Sequence, residues 1–130
     1  MAKRKILIVD DEPDFLAVMS ARLEANDYNV TTAATGEDAL EYVKNSKPDA
    51  VLLDILMPGI DGLEVLRRIR KMDDSLPVYI ITAFSTDERF KVANKLGASG
   101  FIVKTDDLAK EVDNITSALD MSARFHKKGK

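Results

Sequence analysis

Cysteine is absent from this chain of 130 residues, so neither a disulfide framework nor a thiolate metal site can be built from it, as suits a reducing compartment. Long apolar runs are missing too. After the charged start MAKRK only Ile6 to Val9 precede Asp10, too few for a signal peptide or a membrane span, and a cytoplasmic protein is expected. An excess of positive charge is also lacking: the net charge is −3 and the sequence pI near 5.2, which argues against a nucleic-acid footprint. The basic cluster Arg67, Arg68, Arg70 and Lys71 reads as one solvated helix face. There is one histidine, His126, and it falls in the aperiodic basic ending RFHKKGK. No repeat, low-complexity stretch or composition shift marks a second domain. The expectation is a domain over residues 1–122 and a frayed basic tail over 123–130.

What the chain does have is a recurrence of short apolar runs. KILIVD (5–10), AVLLD (50–54), PVYII (77–81) and GFIVK (100–104) have the composition of fully buried parallel strands, and YNVTTA (28–33) that of a half-covered or edge strand. Helical patterns lie between them. Pro13 suits a first turn, and Phe15, Leu16, Met19 and Leu23 follow at helical spacing. Thr35 with Asp38, Asp61 with Glu64, and Ser85 with Glu88 match capping-box spacing and predict the starts of helices two, three and four. Thr105-Asp106-Asp107 predicts the start of a fifth, whose stripe is Leu108, Val112, Ile115 and Leu119. Strand and helix alternating five times predict an α/β, doubly wound parallel sheet with helices on both faces.

In such sheets ligands gather at the carboxyl ends of the strands. Strand one ends in Asp10-Asp11-Glu12, strand three in Asp54, strand four in Thr82 and strand five in Lys104. Carboxylates about 4 Å apart repel by roughly 4 kcal/mol at an effective dielectric near 20, so this edge calls for a cation. An all-oxygen set with room for water suits Mg²⁺, with Lys104 as a second positive charge. An aspartate neutralised in that way can act as a nucleophile toward a phosphoryl group, and Asp54, alone at the end of the middle strand, is the candidate. Asp10 and Asp11 are adjacent and their side chains diverge, so one can ligate metal directly and the other through water. Thr82 can donate its hydroxyl to a phosphoryl oxygen. Met57-Pro58-Gly59 then turns the chain sharply, which lets a backbone carbonyl face the metal.

Together, ILIVDDE (6–12), LLDILMPGIDG (52–62), IITA (80–83), LGASGF (96–101) and Lys104 resemble the receiver domain of two-component response regulators, over about residues 4 to 120. The resemblance implies a flavodoxin-like, chemotaxis-regulator-like fold with strand order 2-1-3-4-5 and five helices. It implies that Asp54 is the phospho-acceptor, that Asp11, Asp54 and the Leu56 carbonyl hold Mg²⁺ with Asp10 acting at second hand, and that Thr82 and Lys104 contact the phosphoryl group. Thr82 and Phe101 become the switch pair, acting on the face of helix four, strand five and helix five. Implied partners are a sensor histidine kinase or phosphotransfer protein as donor and an effector protein or output domain downstream, with homodimerisation on phosphorylation left open. Neither nucleic acid nor membrane is an implied direct partner. The chain would be no enzyme beyond catalysing its own phosphorylation and dephosphorylation. One departure is plain: where the family usually has Pro after the lysine, this chain has Thr105.

Two other classes fit less well. A Mg²⁺-dependent phosphohydrolase with an aspartyl-phosphate intermediate would place a second acid two residues after Asp54, where Leu56 stands. A receiver reduced to a binding module would have lost Asp54, Thr82 or Lys104, and all three are present.

Overall fold

The computed structural model describes residues 3–83, 86–104, 107, 110 and 113–120. Its elements are β1 (Arg4–Val9), α1 (Pro13–Ala25), β2 (Tyr28–Ala33), α2 (Gly36–Ser46), β3 (Ala50–Leu53), α3 (Gly62–Met72), β4 (Val78–Thr82), α4 (Asp87–Lys95) and β5 (Gly100–Val103). Residues 113–120 are helical as well and form α5. The strands make one parallel sheet in the order β2-β1-β3-β4-β5, the order the resemblance implies.

Burial explains the composition of the strands. In β3 and β4 every residue is buried, because helices cover both faces, and uninterrupted apolar runs are the result. Side chains alternate between two cores. Leu7, Val9, Val51, Leu53, Val78 and Ile80 face α2, α3 and α4. Ile6, Ile8, Leu52 and Ile81 face α1 and α5, from which Phe15, Met19, Leu23, Ile115 and Leu119 enter. Each such aliphatic side chain contributes about 1.5–3 kcal/mol when fully buried.

The caps follow the predicted chemistry at two helices. Thr35 Oγ1 accepts from the Asp38 N–H at 3.2 Å, and Asp61 Oδ1 accepts from the Glu64 N–H at 2.9 Å. Helix four differs. Its N-cap is Thr86, whose Oγ1 accepts from the Arg89 N–H at 3.1 Å, one residue beyond the predicted Ser85 and Glu88 frame. Hydroxyls at 85 and 86 can each serve as an N-cap; an acid three residues on singles out Ser85, whereas Thr86 is followed there by Arg89, and the helix is capped by Thr86 without that acid. Ahead of α5, Asp107 Oδ1 accepts from the Lys110 N–H at 3.1 Å. Ser85, Thr105, Asp106, Leu108, Val112 and the ending with His126 lie outside the described residues.

The solvated basic face of α3 is occupied within the chain. Arg67 and Arg68 both pair with Glu64, whose carboxyl they hold down at about 2, and Arg70 donates twice to the Gly97 carbonyl, at 3.0 and 2.8 Å.

Candidate functional site

The strand register aligns Val9, Leu53, Ile80 and Phe101 across four neighbouring strands. Asp10 and Asp54 each follow one of these residues, so the register alone places them side by side, at the switch between β1 and β3. Their backbones are tied to the sheet: Asp54 N–H donates to the Val9 carbonyl at 2.9 Å and Asp10 N–H to the Ala33 carbonyl at 3.1 Å. Lys104 N–H donates to the Thr82 carbonyl at 2.8 Å, which carries the lysine to the same edge. β1, β3 and β5 thus stop one residue short of the predicted runs, and Asp10, Asp54 and Lys104 stand just past the ladder. Asp10, Asp54 and Thr82 are the buried polar residues of the described chain, at 1%, 6% and 0% exposure.

Lys104 is the hub. Its Nζ lies 2.5 Å from Asp10 Oδ2, 2.9 Å from Glu12 Oε1 and 3.6 Å from Asp54 Oδ2, and rests 4.1 Å from the centroid of the Phe15 ring. The Phe15 face gives the partly desolvated ammonium a further favourable contact. Asp10, Glu12 and Asp54 each offer a carboxylate oxygen, and these oxygens lie within 4.8 Å of one another.

Burial is the largest influence on both buried acids and raises both pKa values. For Asp54 the nearby Lys104 charge opposes that rise, the Asp10 charge adds to it, and the Leu56 N–H and Thr82 hydroxyl oppose it more weakly. For Asp10 the bonds from Lys104 and from the Glu12 N–H, the latter at 2.9 Å, oppose it. Burial by itself would lower the Lys104 pKa, but its bonds to Asp10 and Glu12 outweigh that and raise it.

Asp54 Oδ1 is buried and has no hydrogen-bond partner among the described residues. A buried carboxylate oxygen without a partner is costly unless something else meets it, and hard anionic oxygens suit a hard divalent cation. The donor set therefore fits Mg²⁺. The predicted ligand Asp11 is exposed and lies outside the Asp10–Glu12–Asp54 group, and Leu56 stands just past Ile55 at 37% exposure. The turn between them and α3 is built as its residues require: Gly59 has φ +78°, in the left-handed region.

Glu12, Gly62 and Phe90 belong to the site's surroundings although the sequence reading assigned them no part. Phe90, half-exposed on α4, meets Phe101 edge to face with ring centroids 5.4 Å apart and an interplanar angle of 72°. Helical spacing carries no signal for that pair, since it joins a helix to a strand.

A flavodoxin-like sheet with paired acids, a threonine and a lysine at its carboxyl edge defines a class of α/β protein in which charge gathers at one end of the strands. Comparison with known proteins places the chain within that class: residues 6–116 match the response regulator receiver domain, and the chain belongs to that family. It is 39% identical over 103 residues to the alkaline phosphatase synthesis transcriptional regulatory protein PhoP of Bacillus subtilis, covering 78% of this chain and 42% of that protein. It is 32% identical over 123 residues to sporulation initiation phosphotransferase F of the same species, covering 95% of this chain and 99% of that one. The chain therefore spans less than half of PhoP but nearly all of the phosphotransferase. Among solved structures, a receiver domain protein of Methanospirillum hungatei superposes with a TM-score of 0.86 at 27% identity, over 94% of this chain and 98% of that one. The response regulator TrrA of Thermotoga maritima, solved in complex with Mg²⁺–BeF, superposes with 0.78 at 32% identity, over 88% and 98%. Among the described residues, no helix is long and apolar enough to cross a membrane.

Proposed function

We infer that this receiver accepts a phosphoryl group on Asp54 from a phosphohistidine of a sensor histidine kinase or phosphotransfer protein, and that phosphorylation of this carboxylate switches the α4–β5–α5 face for a downstream partner. The observation that carries the reading is the position of Asp54: a buried carboxylate with one oxygen unmatched, 3.6 Å from the Lys104 ammonium. A carboxylate oxygen of Asp54 attacks phosphorus, the P–N bond to the donor imidazole breaks, and the imidazole leaves with that electron pair. Lys104 and the Thr82 hydroxyl stand where they can contact the transferred oxygens. Bound Mg²⁺, held by Asp11, Asp54 and the Leu56 carbonyl with Asp10 at second hand, would offset the carboxylate charge and that of the phosphoryl oxygens.

The switch works through packing. Thr82 is paired with Val103 and lies two residues beyond Ile80, the partner of Phe101, so a pull on Thr82 reaches Phe101 across one strand pair. Phe101 has no hydroxyl, and its two positions are distinguished by contacts alone, one of them with Phe90. A difference of about 1–3 kcal/mol between states suffices for typical coupling. The chain acts as a signalling receiver, with no reaction beyond its own phosphorylation and dephosphorylation, and works in the cytoplasm beside its donor. An NMR titration with Mg²⁺ and beryllofluoride tests the reading: shifts should extend from the Asp54 loop to residues 86–91 and 99–104. Shifts confined to the Asp54 loop would instead support a binding module without a switch.

A further inference from the structure

We propose that Glu12 is a seat for Lys104: a positioning residue that holds the ammonium beside Asp10 and gives it somewhere to remain when a divalent cation binds at Asp54 and beside Asp10. The proposal rests on the metal-dependent receiver reading above. Glu12 is the N-cap residue of α1, yet its side chain makes no capping hydrogen bond. A short polar side chain at that position ordinarily accepts from the N–H of the second or third helical residue. Here the Glu12 carboxylate reaches instead to Lys104, 92 residues along the chain, at 2.9 Å. The arrangement closes on itself. Glu12 N–H donates to Asp10 Oδ1, Lys104 donates to Asp10 Oδ2, and Lys104 donates to Glu12 Oε1.

Charge and burial give this ring a direction. Asp10 and Asp54 are buried, while the Glu12 side chain is 62% exposed and the Lys104 side chain only 9%. An ammonium bound to Asp10 and close to Asp54 competes for the carboxylate charge that a divalent cation also draws on, directly at Asp54 and at second hand at Asp10. Without Glu12, displacement from Asp10 would leave Lys104 with Asp54 as its remaining anion, again in competition. With Glu12, the ammonium keeps a counter-charge at the rim and stays within one side-chain swing of Asp54. The rival account is that Glu12 helps the cation directly, as one member of the carboxylate group.

The two accounts separate in a double-variant cycle, read as Mg²⁺ dissociation constants from NMR titration of the whole chain. Glu12→Gln should weaken Mg²⁺ binding about fivefold in the natural background, and should lose that effect in Lys104→Met, as expected for residues that act through one another. An equal weakening in both backgrounds would overturn the proposal in favour of direct action on the cation, and no weakening in either would overturn it outright. A second readout needs no lysine variant: in metal-free Glu12→Gln the Lys104 Cε and Nζ resonances should move, whereas unchanged resonances would show that Glu12 does not hold the side chain. Failure of the natural protein to bind Mg²⁺ at all would instead refute the receiver reading on which the proposal stands.

Discussion

The main-chain carbonyl of Asp54 is packed so tightly against Gly62 that a Cβ at position 62 would lie 2.0 Å from that oxygen and 2.8 Å from the Ile55 Cα. The start of α3 thus sits directly on the backbone that carries the acceptor, fixed by Gly62 N–H donating to the Ile55 carbonyl at 2.8 Å. Gly62→Ala should cost about 3 kcal/mol, the upper end of ordinary overpacking, because the obstacle is backbone. Gly36→Ala should cost less, about 1 kcal/mol, since its added Cβ meets only the side chains of Ile60 and Val65. Denaturant unfolding of the two variants checks the order.

Asp54→Asn should stabilise the metal-free protein at neutral pH. Burial raises the Asp54 pKa, so the folded form holds its proton to higher pH than the unfolded form does. An acid shifted in that direction contributes stability below the unfolded value of 3.8, and that contribution is lost as pH rises through the folded one. Removing the buried charge should therefore gain about 1 kcal/mol at pH 7, with the gain fading as pH falls through the raised pKa toward the ordinary carboxylate range. Thermal melts across that range would show the difference narrowing, and a gain that grew on acidification would oppose the assignment.

Lys104→Met should be strongly destabilising, by about 3–5 kcal/mol, because it leaves Asp10 buried and uncompensated. Adding Asp10→Asn to that variant should recover most of the loss, since the penalty lies in the orphaned charge. Two equal, additive losses would mean that the ion pair is not the source of the effect.

Asp11→Ala should leave the melting temperature nearly unchanged, because Asp11 is exposed. The same substitution should abolish Mg²⁺-dependent chemical-shift changes if Asp11 is a direct ligand. An unchanged Mg²⁺ titration would assign the metal to the Asp10–Glu12–Asp54 carboxylates instead.

The parts of this molecule that sequence makes legible are those governed by local rules. Buried parallel strands have little choice but apolar runs, and Thr35 and Asp61 cap their helices through contacts three residues away. At Ser85-Thr86 the acid three residues on points to the first hydroxyl, and the chain caps with the second. Asp10, Asp54, Thr82 and Lys104 were legible as a group because parallel topology brings strand ends to one edge. Glu12 stood in the sequence only as the third acid at the end of strand one, and only the fold shows that its partner is Lys104. Gly62 read only as the residue after the Asp61 cap, while its reason is a contact with the backbone at Asp54. The Phe90–Phe101 contact likewise depends on how α4 lies on β5, which no short-range spacing encodes.

The central claim, that Asp54 takes the phosphoryl group, is tested most directly by intact mass after incubation with a small phosphodonor, with and without Mg²⁺. The natural chain should gain about 80 Da, one phosphoryl group, only when Mg²⁺ is present, and Asp54→Asn should gain nothing. A mass gain that persists in Asp54→Asn would place the phosphoryl group on another residue and contradict the account.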